Sequence, residues 1–305
     1  MATLLKRPEQ LTGDLVGLID YDIITYSAGF ASDNKYYITP DGEEFKYKRE
    51  AVTHCENNQL HAGDIESLVE SEPIEHCLFT VKQMINNICK EAGCGSYMGY
   101  LTGSNNFRDT IDTIQPYKGN RVGSNRPIWY DEIREYLIKN QNGVVVDGYE
   151  ADDAMAMEQM KDPDTTIICT KDKDLWMVPG WKYNFGKEPK KFYVDPIEGM
   201  RWFYTQLLIG DATDNIMGCG VREIKVYQSG AKKGRQYNTR SGVGEKEAEL
   251  ILMTCHNERD MYEAVLECYE DYELDQYDLL ENANLLWMVR ERDSEGNLIH
   301  WSPPE

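Results

Sequence analysis

Four groups of acidic residues distinguish this sequence, and three of them follow a segment with the pattern of a buried strand. The groups are Asp20; Glu150, Asp152 and Asp153; Asp172 and Asp174; and Asp211 and Asp214. Apolar or β-branched runs at residues 15–19, 143–146 and 165–169 precede the first three groups. In an open α/β sheet the carboxyl ends of the parallel strands lie along one edge. The pattern therefore predicts an α/β fold whose mostly parallel sheet brings the groups into one pocket.

Carboxylates at this density repel one another unless cations or water compensate their charges. No His or Cys lies within the four groups, and oxygen-only ligation suits Mg²⁺ or Mn²⁺ better than zinc. The number of acids predicts two ions, and two metals about 4 Å apart can activate a water and stabilise the leaving oxygen of a phosphodiester. For residues 150–153 alone, a solvated acidic helix start is an equally good interpretation. The three further groups favour the metal site.

The overall charge limits how the chain can meet other molecules. A net charge of −21 argues against general adhesion to nucleic acids or anionic membranes, although it allows a local basic surface. No apolar run approaches the roughly 20 residues of a membrane span, and residues 1–20 lack the pattern of a signal peptide. The eight cysteines form no CxxC pair, which is typical of reduced thiols. We therefore predict a cytoplasmic protein without a membrane partner.

Hydrophobic periodicity and turn signals predict the individual elements of the fold. Strands are predicted at 15–20, 97–102, 143–147 and 165–170. Helices are predicted at 73–90, 131–140, 196–209, 245–254, 259–272 and 275–290. Asp41-Gly42 has the sequence of a hairpin turn between residues 35–39 and 44–47.

Two basic segments interrupt the acidic sequence. Residues 113–130 contain no acid, but they contain three basic and three aromatic residues: Lys118, Arg121, Arg126, Tyr117, Trp129 and Tyr130. Basic groups neutralise phosphates and aromatic rings stack on unpaired bases, so the segment is a candidate nucleic-acid contact. A solvated connector is the alternative interpretation. Residues 222–240 form a second basic insertion, with Lys232, Lys233 and Arg235 at a predicted turn.

Five motifs, in the same order, resemble those of the bacteriophage members of the 5′–3′ exonuclease and flap-endonuclease family, which are PIN-like metal-dependent nucleases. They are Tyr117-Lys-Gly-Asn-Arg121, Glu150-Ala-Asp-Asp153, Thr170-Lys-Asp-Lys-Asp174, Gly210-Asp-Ala-Thr-Asp-Asn-Ile216 and Gly242-Val-Gly244. The resemblance covers residues 15–21 and 97–255. It implies a mostly parallel central sheet flanked by helices. Residues 1–210 would form an α/β nuclease core with a helical arch or clamp at about 105–130. Residues 211–305 would form a helical DNA-binding region with a basic insertion at 218–241 and a helix–hairpin–helix-type element.

The resemblance also implies roles for individual residues. Two clusters would hold two Mg²⁺ ions, for which Mn²⁺ could substitute: Asp20, Glu150, Asp152 and Asp153 in the first, and Asp172, Asp174, Asp211 and Asp214 in the second. Lys118 would reach the scissile phosphate and Arg121 would guide the strand, both as catalytic residues. The DNA contacts that the resemblance implies are Tyr117, Lys118, Arg121, Gly242 and Gly244, together with Lys246 in the helix that follows Gly244. From the basic character of their segments, we also predict contacts at Arg126 and at the added basic turn of Lys232, Lys233 and Arg235. The Gly242–Gly244 turn would grip duplex backbone, with K⁺ bound there in some members of the family.

The activity that the resemblance implies is metal-dependent 5′–3′ exonucleolytic hydrolysis of duplex DNA with a 5′ end or flap. Flap endonuclease activity and RNase H-like hydrolysis of RNA–DNA hybrids are variants of the same chemistry. The expected setting is the cytoplasm of a phage-infected host, in replication, primer removal or host DNA degradation, together with a replication protein partner. A different possibility is that the chain is an acidic cation-binding protein with no role on nucleic acids.

Two residues and one loop depart from the family pattern. The family has an Asp at the end of the second core strand, where this sequence has Gly103. Tyr21 replaces the Gly that commonly follows the first Asp, and the loop between Ile216 and Gly242 is longer than in compact members. Because Gly103 removes a carboxylate from the first cluster, the alternative function is a catalytically weakened DNA-binding protein that retains the nuclease fold.

Overall fold

The computed structural model of the protein describes residues 13–111, 113, 115–121, 125–229 and 233–305, and for residues 222 and 237–240 the backbone alone. The strands are β1 (Leu15–Asp20), β2 (Asp33–Ile38), β3 (Glu44–Phe45), β4 (Glu66–Ser71), β5 (Cys94–Asn106), β6 (Gly143–Gly148), β7 (Thr166–Thr170), β8 (Gly180–Asn184), β9 (Lys190–Val194), β10 (Gly220–Val226) and β11 (Gln236–Gly242). The helices are α1 (Tyr21–Ser32), α2 (Lys48–Asn57), α3 (Ile74–Ala92), α4 (Tyr130–Asn140), α5 (Ala151–Lys161), α6 (Pro196–Ile209), α7 (Glu245–Leu252), α8 (Glu258–Asp271) and α9 (Gln276–Leu286).

A six-stranded sheet with the order β6-β5-β1-β7-β8-β9 forms the centre of the molecule. All of its neighbouring strands are parallel except the last pair, β8 and β9. Strand β1 lies between β5 and β7, and its Leu18 and Ile19 are at most 1% exposed. A strand buried on both faces needs a continuous apolar run, which residues 15–19 supply. The predicted α/β fold with a mostly parallel sheet flanked by helices is confirmed.

Each face of the sheet has its own hydrophobic core. Because side chains alternate along a strand, Leu18 packs into the core beneath α5 and α6, and Ile19 packs into the core beneath α1 and α3. Helix α3 places Val81 and Ile85 in the second core. It ends at Gly93, whose φ of 76° is the left-handed conformation that closes many helices.

The C-terminal helices share the first core rather than forming one of their own. Leu207 of α6, Val265 of α8 and Leu279 of α9 belong to the same cluster as Leu18. The proposed boundary at residue 210 therefore does not separate two cores, and the division into residues 1–210 and 211–305 stays a prediction. No helix among the described residues is long and apolar enough to cross a membrane.

The structure differs from the sequence predictions at several elements. Residues 222–240, predicted as an insertion with turns, contain most of the antiparallel hairpin β10–β11. Its strands have little contact with a core, since Ile224 is 67% exposed, so hydrophobic alternation did not reveal them. Strands β8 and β9 were not predicted. The hairpin around Asp41-Gly42 is confirmed by the pairing of β2 with β3, and β4 adds a third strand.

The segment at about 105–130 is a packed loop in its described part and not the long helix that an arch implies. Phe107–Thr110 and Gly119–Arg121 each form one short 3₁₀ turn. Pro116 and Pro127 each lack a backbone donor and disfavour a helical conformation at the preceding residue. The helical form of the predicted arch is therefore corrected for the described residues, and a clamp over DNA at about 105–130 stays a prediction.

Candidate metal centre

The first acidic residue of the pocket lies at the junction of β1 and α1. Asp20 ends β1 and serves as the N-cap of α1, where its Oδ1 accepts a hydrogen bond from the Ile23 backbone N–H at 3.0 Å. Its Oδ2 accepts a second hydrogen bond from the Thr170 hydroxyl at 2.8 Å, and the residue is only 4% exposed. Two neighbouring parallel strands, β1 and β7, therefore hold this carboxylate at the sheet edge, as the sequence pattern predicts.

The turn after β7 presents the next two carboxylates. The Asp172 backbone N–H donates to the Thr170 hydroxyl at 3.0 Å, and the Asp174 backbone N–H donates to Asp172 Oδ1 at 2.9 Å. Each polar side chain thus fixes the backbone two residues later, a local turn that Asp and Thr readily form. The Asp174 carboxylate also accepts a hydrogen bond from the Gln206 side chain of α6. Gln206 has a place in the site that no sequence motif indicated.

The loop after α6 brings the last two carboxylates to this turn. Asp211 and Ile216 exchange two backbone hydrogen bonds of 2.9 and 2.7 Å, which close the loop. Gly210 has a φ of 68°, and a side chain there would meet the Met217 carbonyl at 2.4 Å, so only glycine fits. As a result, one carboxylate oxygen from each of Asp174, Asp211 and Asp214 lies within 4.8 Å of the other two. The predicted second cluster is thus brought together for these three residues.

Electrostatics connects this cluster to the carboxylates around α5. Burial, followed by the charges of Asp20, Asp172 and Glu150, raises the pKa of Asp152 well above its ordinary value. Burial and the charges of Asp214 and Asp211 likewise raise the pKa of Asp172. Asp172 therefore interacts electrostatically with Asp152 of the first predicted cluster and with Asp211 and Asp214 of the second. The two predicted clusters are thus neighbouring parts of one acidic pocket.

Two of these carboxyl groups have pKa values close to neutrality. Burial, with repulsion from Asp172 and Asp211, raises the pKa of Asp174 from 3.8 to about 8. Burial and the charge of Asp22 raise the pKa of Asp20 to about 7. Burial and the neighbouring acids thus disfavour the charged form of both carboxyl groups, and a bound cation would favour it.

The predicted basic segment lies against the other side of the pocket. Lys118 pairs with Glu150 and lies 3.6 Å from Asp214, and Arg121 pairs with Asp214. The Tyr117 hydroxyl lies 3.0 Å from carboxylate oxygens of both Glu150 and Asp214. Burial disfavours the Glu150 carboxylate, but Lys118 and Arg108 outweigh this effect and lower its pKa. The structure thus brings Tyr117, Lys118 and Arg121 to the carboxylates, whereas Arg126, the fourth predicted contact of this segment, lies against Tyr130 instead.

Lys118 reaches this position with an unusual backbone. Its φ is 53°, in the left-handed region that residues other than Gly, Asn and Asp seldom adopt. The Lys118 backbone N–H donates to the Asp214 carbonyl at 2.9 Å, and the Asn215 amide donates to the Pro116 carbonyl at 3.0 Å. These contacts between the two loops hold the strained backbone in place.

Asp153 does not join the metal cluster, which corrects the prediction for this residue. Its two oxygens accept hydrogen bonds from the Arg108 guanidinium at 2.6 and 2.9 Å, and further ones from the Glu150 and Val289 backbone N–H groups. Both side chains are fully buried, and Arg108 also donates to the carbonyls of Leu285 and Trp287. All of the oxygens' partners come from the chain itself, so Asp153 has a structural role.

The positions that depart from the family pattern have local explanations. A side chain at Gly103 would meet the Val146 carbonyl at 2.5 Å and Asp147 Oδ1 at 2.9 Å, so a carboxylate cannot be accommodated there. Asp147 instead accepts hydrogen bonds from the backbone N–H groups of Ser104 and Asn105. Tyr21 is fully buried, and its ring fills the space where any side chain at residue 99 would lie.

The remaining predicted DNA contacts lie on separate elements. The Arg126 guanidinium stacks 4.6 Å from the ring centre of Tyr130. Lys233 and Arg235 are exposed at the turn of the β10–β11 hairpin, whereas Lys232 lies outside the described residues. Gly242 ends β11, Gly244 is the N-cap of α7, and Lys246 is exposed in its first turn. A β-hairpin thus separates α6 from α7, unlike the short connection of a helix–hairpin–helix, and the predicted K⁺ at this turn stays a prediction.

The solved structures with a similar fold include two T5 proteins. One is the T5 D15 protein co-crystallised with metal ions, with a TM-score of 0.50, 13% identity, and coverage of 90% of this chain and 88% of that chain. Another is T5 5′-exonuclease with bound divalent metal ions (zinc), with a TM-score of 0.51, 15% identity, and coverage of 89% and 88%. No protein-family model and no curated protein matches the sequence. The chain therefore shares the fold of these T5 5′-exonuclease structures, with an acidic pocket at the ends of its central strands.

Proposed function

We propose that this protein is a metal-dependent 5′–3′ exonuclease that hydrolyses phosphodiesters of duplex DNA from 5′ ends. The observation that carries the proposal is the convergence of Asp174, Asp211 and Asp214, beside Lys118 and Arg121, in a fold shared with T5 5′-exonuclease. Cleavage of 5′ flaps and RNase H-like hydrolysis of hybrids need the same chemistry and belong to the proposal as variants. The proposal also includes a phage setting, a location in the host cytoplasm and a replication protein as partner.

The residues present fit a divalent metal ion. Asp174, Asp211 and Asp214 offer three carboxylate oxygens within 4.8 Å of one another, and hard ions such as Mg²⁺ and Mn²⁺ prefer oxygen ligands. Burial and neighbouring acids raise the pKa of Asp174, and a bound cation would favour its charged form. We assign one ion to this group together with Asp172, and a second to Asp20, Glu150 and Asp152. When bound, such ions supply charge neutralisation and an activated water for phosphodiester hydrolysis.

The chain's own cations would bind and orient the DNA strand. Lys118 and Arg121 are paired with Glu150 and Asp214, at the boundary between the carboxylates and solvent. Once a metal compensates these acids, the two cations can turn to the negative phosphate, where positioned donors stabilise developing charge. Tyr117 lies beside Lys118, with the ammonium 4.8 Å from its ring centre, and would offer a face for a terminal base.

The test is hydrolysis of a duplex labelled at its 5′ end, with Mg²⁺, with Mn²⁺ and with EDTA. We expect labelled mono- or short oligonucleotides with either metal and none with EDTA. A substrate labelled at the 3′ end should keep its label on long fragments at early times. Release of product that does not depend on metal would contradict the proposal.

The alternative, a DNA-binding protein with weak catalysis, is favoured by one observation. Gly103 packs so closely against β6 that no carboxylate fits at the position where the family resemblance implies an Asp in the first metal group. This alternative predicts tight binding of 5′-ended duplex in Ca²⁺ or EDTA, together with no metal-dependent product at any Mg²⁺ concentration. Activity that appears only at high Mg²⁺ would instead indicate an enzyme whose first metal binds weakly.

A further inference from the structure

A cavity of about 1110 Å³ lies between strands β5 and β6, helix α5 and the segment that follows α9. None of the proposed metal ligands lines it, so it is separate from the acidic pocket. Four aromatic residues and two arginines contribute to its wall: Tyr100, Tyr149, Trp287, Trp301, Arg290 and Arg292. Its volume is slightly above the range of about 300–1,000 Å³ that is typical of pockets for organic ligands, so such a ligand has room to bind.

The wall of this cavity contains the cations Lys161, Arg290 and Arg292 and the acids Glu158, Glu258 and Glu291. Lys161 is paired with Glu158, whereas Arg290 has no such ion pair in the described part of the chain. Arg290 donates to the Met177 carbonyl, but its Nε is shielded from solvent and has no hydrogen-bond partner among the described residues. Lys182, on β8, does not line the cavity, but it is a second buried basic residue that interacts electrostatically with Arg290. It is only 1% exposed, and its Nζ has no hydrogen-bond partner in the described part of the chain. Burial and the charge of Arg290 lower the pKa of Lys182 to about 7.

A comparison with Arg108 shows what is missing at Arg290. Arg108 is fully buried and is neutralised by Asp153 through two hydrogen bonds, whereas the partly exposed Arg290 has no such pair. The acid that acts on Arg290 is Glu258, whose Oε1 already accepts hydrogen bonds from Tyr204 at 3.4 Å and Trp301 at 3.2 Å. A polar donor that is shielded from water and has no partner is costly, so a bound anion that accepts a hydrogen bond from Arg290 would stabilise this region.

The same wall offers flat surfaces for a ring. The Arg290 guanidinium lies 4.0 Å from the Trp287 ring centre, and the Arg292 guanidinium lies 4.8 Å from that of Tyr149. Nucleobases stack on aromatic rings and on the planes of arginine side chains, and arginine binds phosphate through paired donors. A ligand with one planar base and one phosphate group matches both features.

We infer that this cavity binds a nucleoside monophosphate, with its phosphate at Arg290 and Arg292 and its base against the aromatic wall. The proposed exonuclease would release products of this class. The inference does not depend on hydrolysis, because binding at this cavity uses none of the carboxylates of the acidic pocket. Failure of one proposal therefore leaves the other standing.

The experiment is calorimetric titration of the full-length protein with deoxyadenosine monophosphate in EDTA, so that no metal assists binding in the acidic pocket. We expect saturable binding with one site. Arg290→Met keeps an apolar stem over Trp287 but removes the charge, and Arg292→Ala removes the second guanidinium. Each should weaken binding by about tenfold or more, as loss of a charge-assisted hydrogen bond does. The matched control, Lys118→Ala/Arg121→Ala, should bind as the wild type does.

Further ligands and variants decide between the remaining outcomes. Inorganic phosphate and uncharged deoxyadenosine should each bind more weakly than the monophosphate. Phosphate that binds as tightly as the nucleotide would overturn the assignment to nucleotides. Binding that is lost in Lys118→Ala/Arg121→Ala but kept in Arg292→Ala would place the nucleotide in the acidic pocket and refute the inference. If Arg290→Met fails to fold, Arg292→Ala alone decides the outcome.

Discussion

Asp153 and Asp174 both lie at the beginning of a helical segment, but their carboxylates have opposite surroundings. Asp153 lies in the first turn of α5, and two hydrogen bonds from Arg108 neutralise it. Asp174 begins a 3₁₀ turn, and one of its oxygens lies within 4.8 Å of ligand oxygens of Asp211 and Asp214. Its carboxylate accepts a hydrogen bond from the side-chain amide of Gln206, which carries no charge. Arg108 compensates the charge of Asp153, whereas Asp174 has no cationic partner among the described residues.

This difference separates structural acids from candidate ligands better than acidity does. A buried carboxylate with a bidentate arginine gains nothing from a metal ion, because the arginine already occupies its oxygens. A carboxylate that faces other carboxylates is held in an unfavourable state, which raises its pKa and favours cation binding. Variants at the two aspartates should therefore fail in different ways.

The largest expected effect is the loss of activity in Asp174→Asn. We expect metal-dependent hydrolysis to fall by more than about a hundredfold, because even loss of an outer partner of a metal ligand costs about 10- to 100-fold. The same outcome is expected for Asp172→Asn. The melting temperature measured in EDTA should not fall, since the change relieves repulsion. Initial rates on the 5′-labelled duplex test this prediction.

The matched control is Asp271→Asn, at the exposed end of α8, which removes one negative charge away from the pocket. It should leave the rate unchanged. An Asp174→Asn protein that unfolds, or one that cuts at the wild-type rate, would show that Asp174 is wrongly assigned as a ligand.

The second effect is on stability and concerns Asp153→Asn. The substitution removes the anion that is hydrogen-bonded to the fully buried Arg108 and leaves only Glu150, 3.7 Å away. Breaking a buried pair in this way costs about 3–5 kcal/mol. We expect that loss in the free energy of unfolding, measured by urea titration followed by circular dichroism. The protein that remains folded at low temperature should retain metal-dependent hydrolysis.

The double variant Arg108→Met/Asp153→Asn sharpens this second test. It removes the unpaired charge as well as the pair, so it should be more stable than Asp153→Asn alone. If Asp153→Asn abolished hydrolysis without affecting stability, the contrast between the two aspartates would be lost.

The sequence predicted the acidic pocket because each part of it depends on local patterns. The buried strands that precede Asp20, Glu150 and Asp172 are visible in the sequence as apolar runs followed by an acid. A parallel sheet then places the ends of these strands, and therefore the acids, along one edge. The arginine that distinguishes Asp153 could not be predicted in this way. Arg108 reaches Asp153 across 45 positions, and the pair is completed by carbonyls near Leu285, more than 170 positions away.

The end of α9 shows the same limit. Periodicity predicts a helix to residue 290, but α9 ends at Leu286 and Trp287 has an extended backbone. The carbonyls of Leu285 and Trp287 accept hydrogen bonds from Arg108, and the Val289 N–H donates to Asp153. Tertiary hydrogen bonds to a buried ion pair thus end the helix, and no local signal records them.

The third prediction concerns pH and tests the electrostatic half of the comparison. Without metal, the pKa of Asp174 is raised from 3.8 to about 8 by burial and by Asp172. The folded state then binds this proton more tightly than the unfolded state, so stability falls as the pH rises between these values. In EDTA, the wild type should lose stability relative to Asp174→Asn from about pH 5 to pH 8.

Thermal melts of both proteins across this range measure the effect. Saturating Mg²⁺ should restore the melting temperature of the wild type at pH 8 and change that of Asp174→Asn less. A difference between the two proteins that stays constant with pH would mean that Asp174 is ionised throughout, as a compensated carboxylate would be.

The smallest expected effect concerns Lys233 and Arg235, which lie outside both groups of acids, at the exposed turn of the β10–β11 hairpin. With a net charge of −21, the protein should depend on local cations for its affinity for DNA. Lys233→Ala/Arg235→Ala should weaken duplex binding several-fold and lower the slope of log affinity against log salt by up to about 1.8, or 0.9 per lost phosphate contact. The charge-matched control is Lys46→Ala/Lys48→Ala, at exposed positions beside β3 and α2. If both double variants lower affinity equally and leave the slope unchanged, the hairpin acts only through overall charge and does not contact the phosphates.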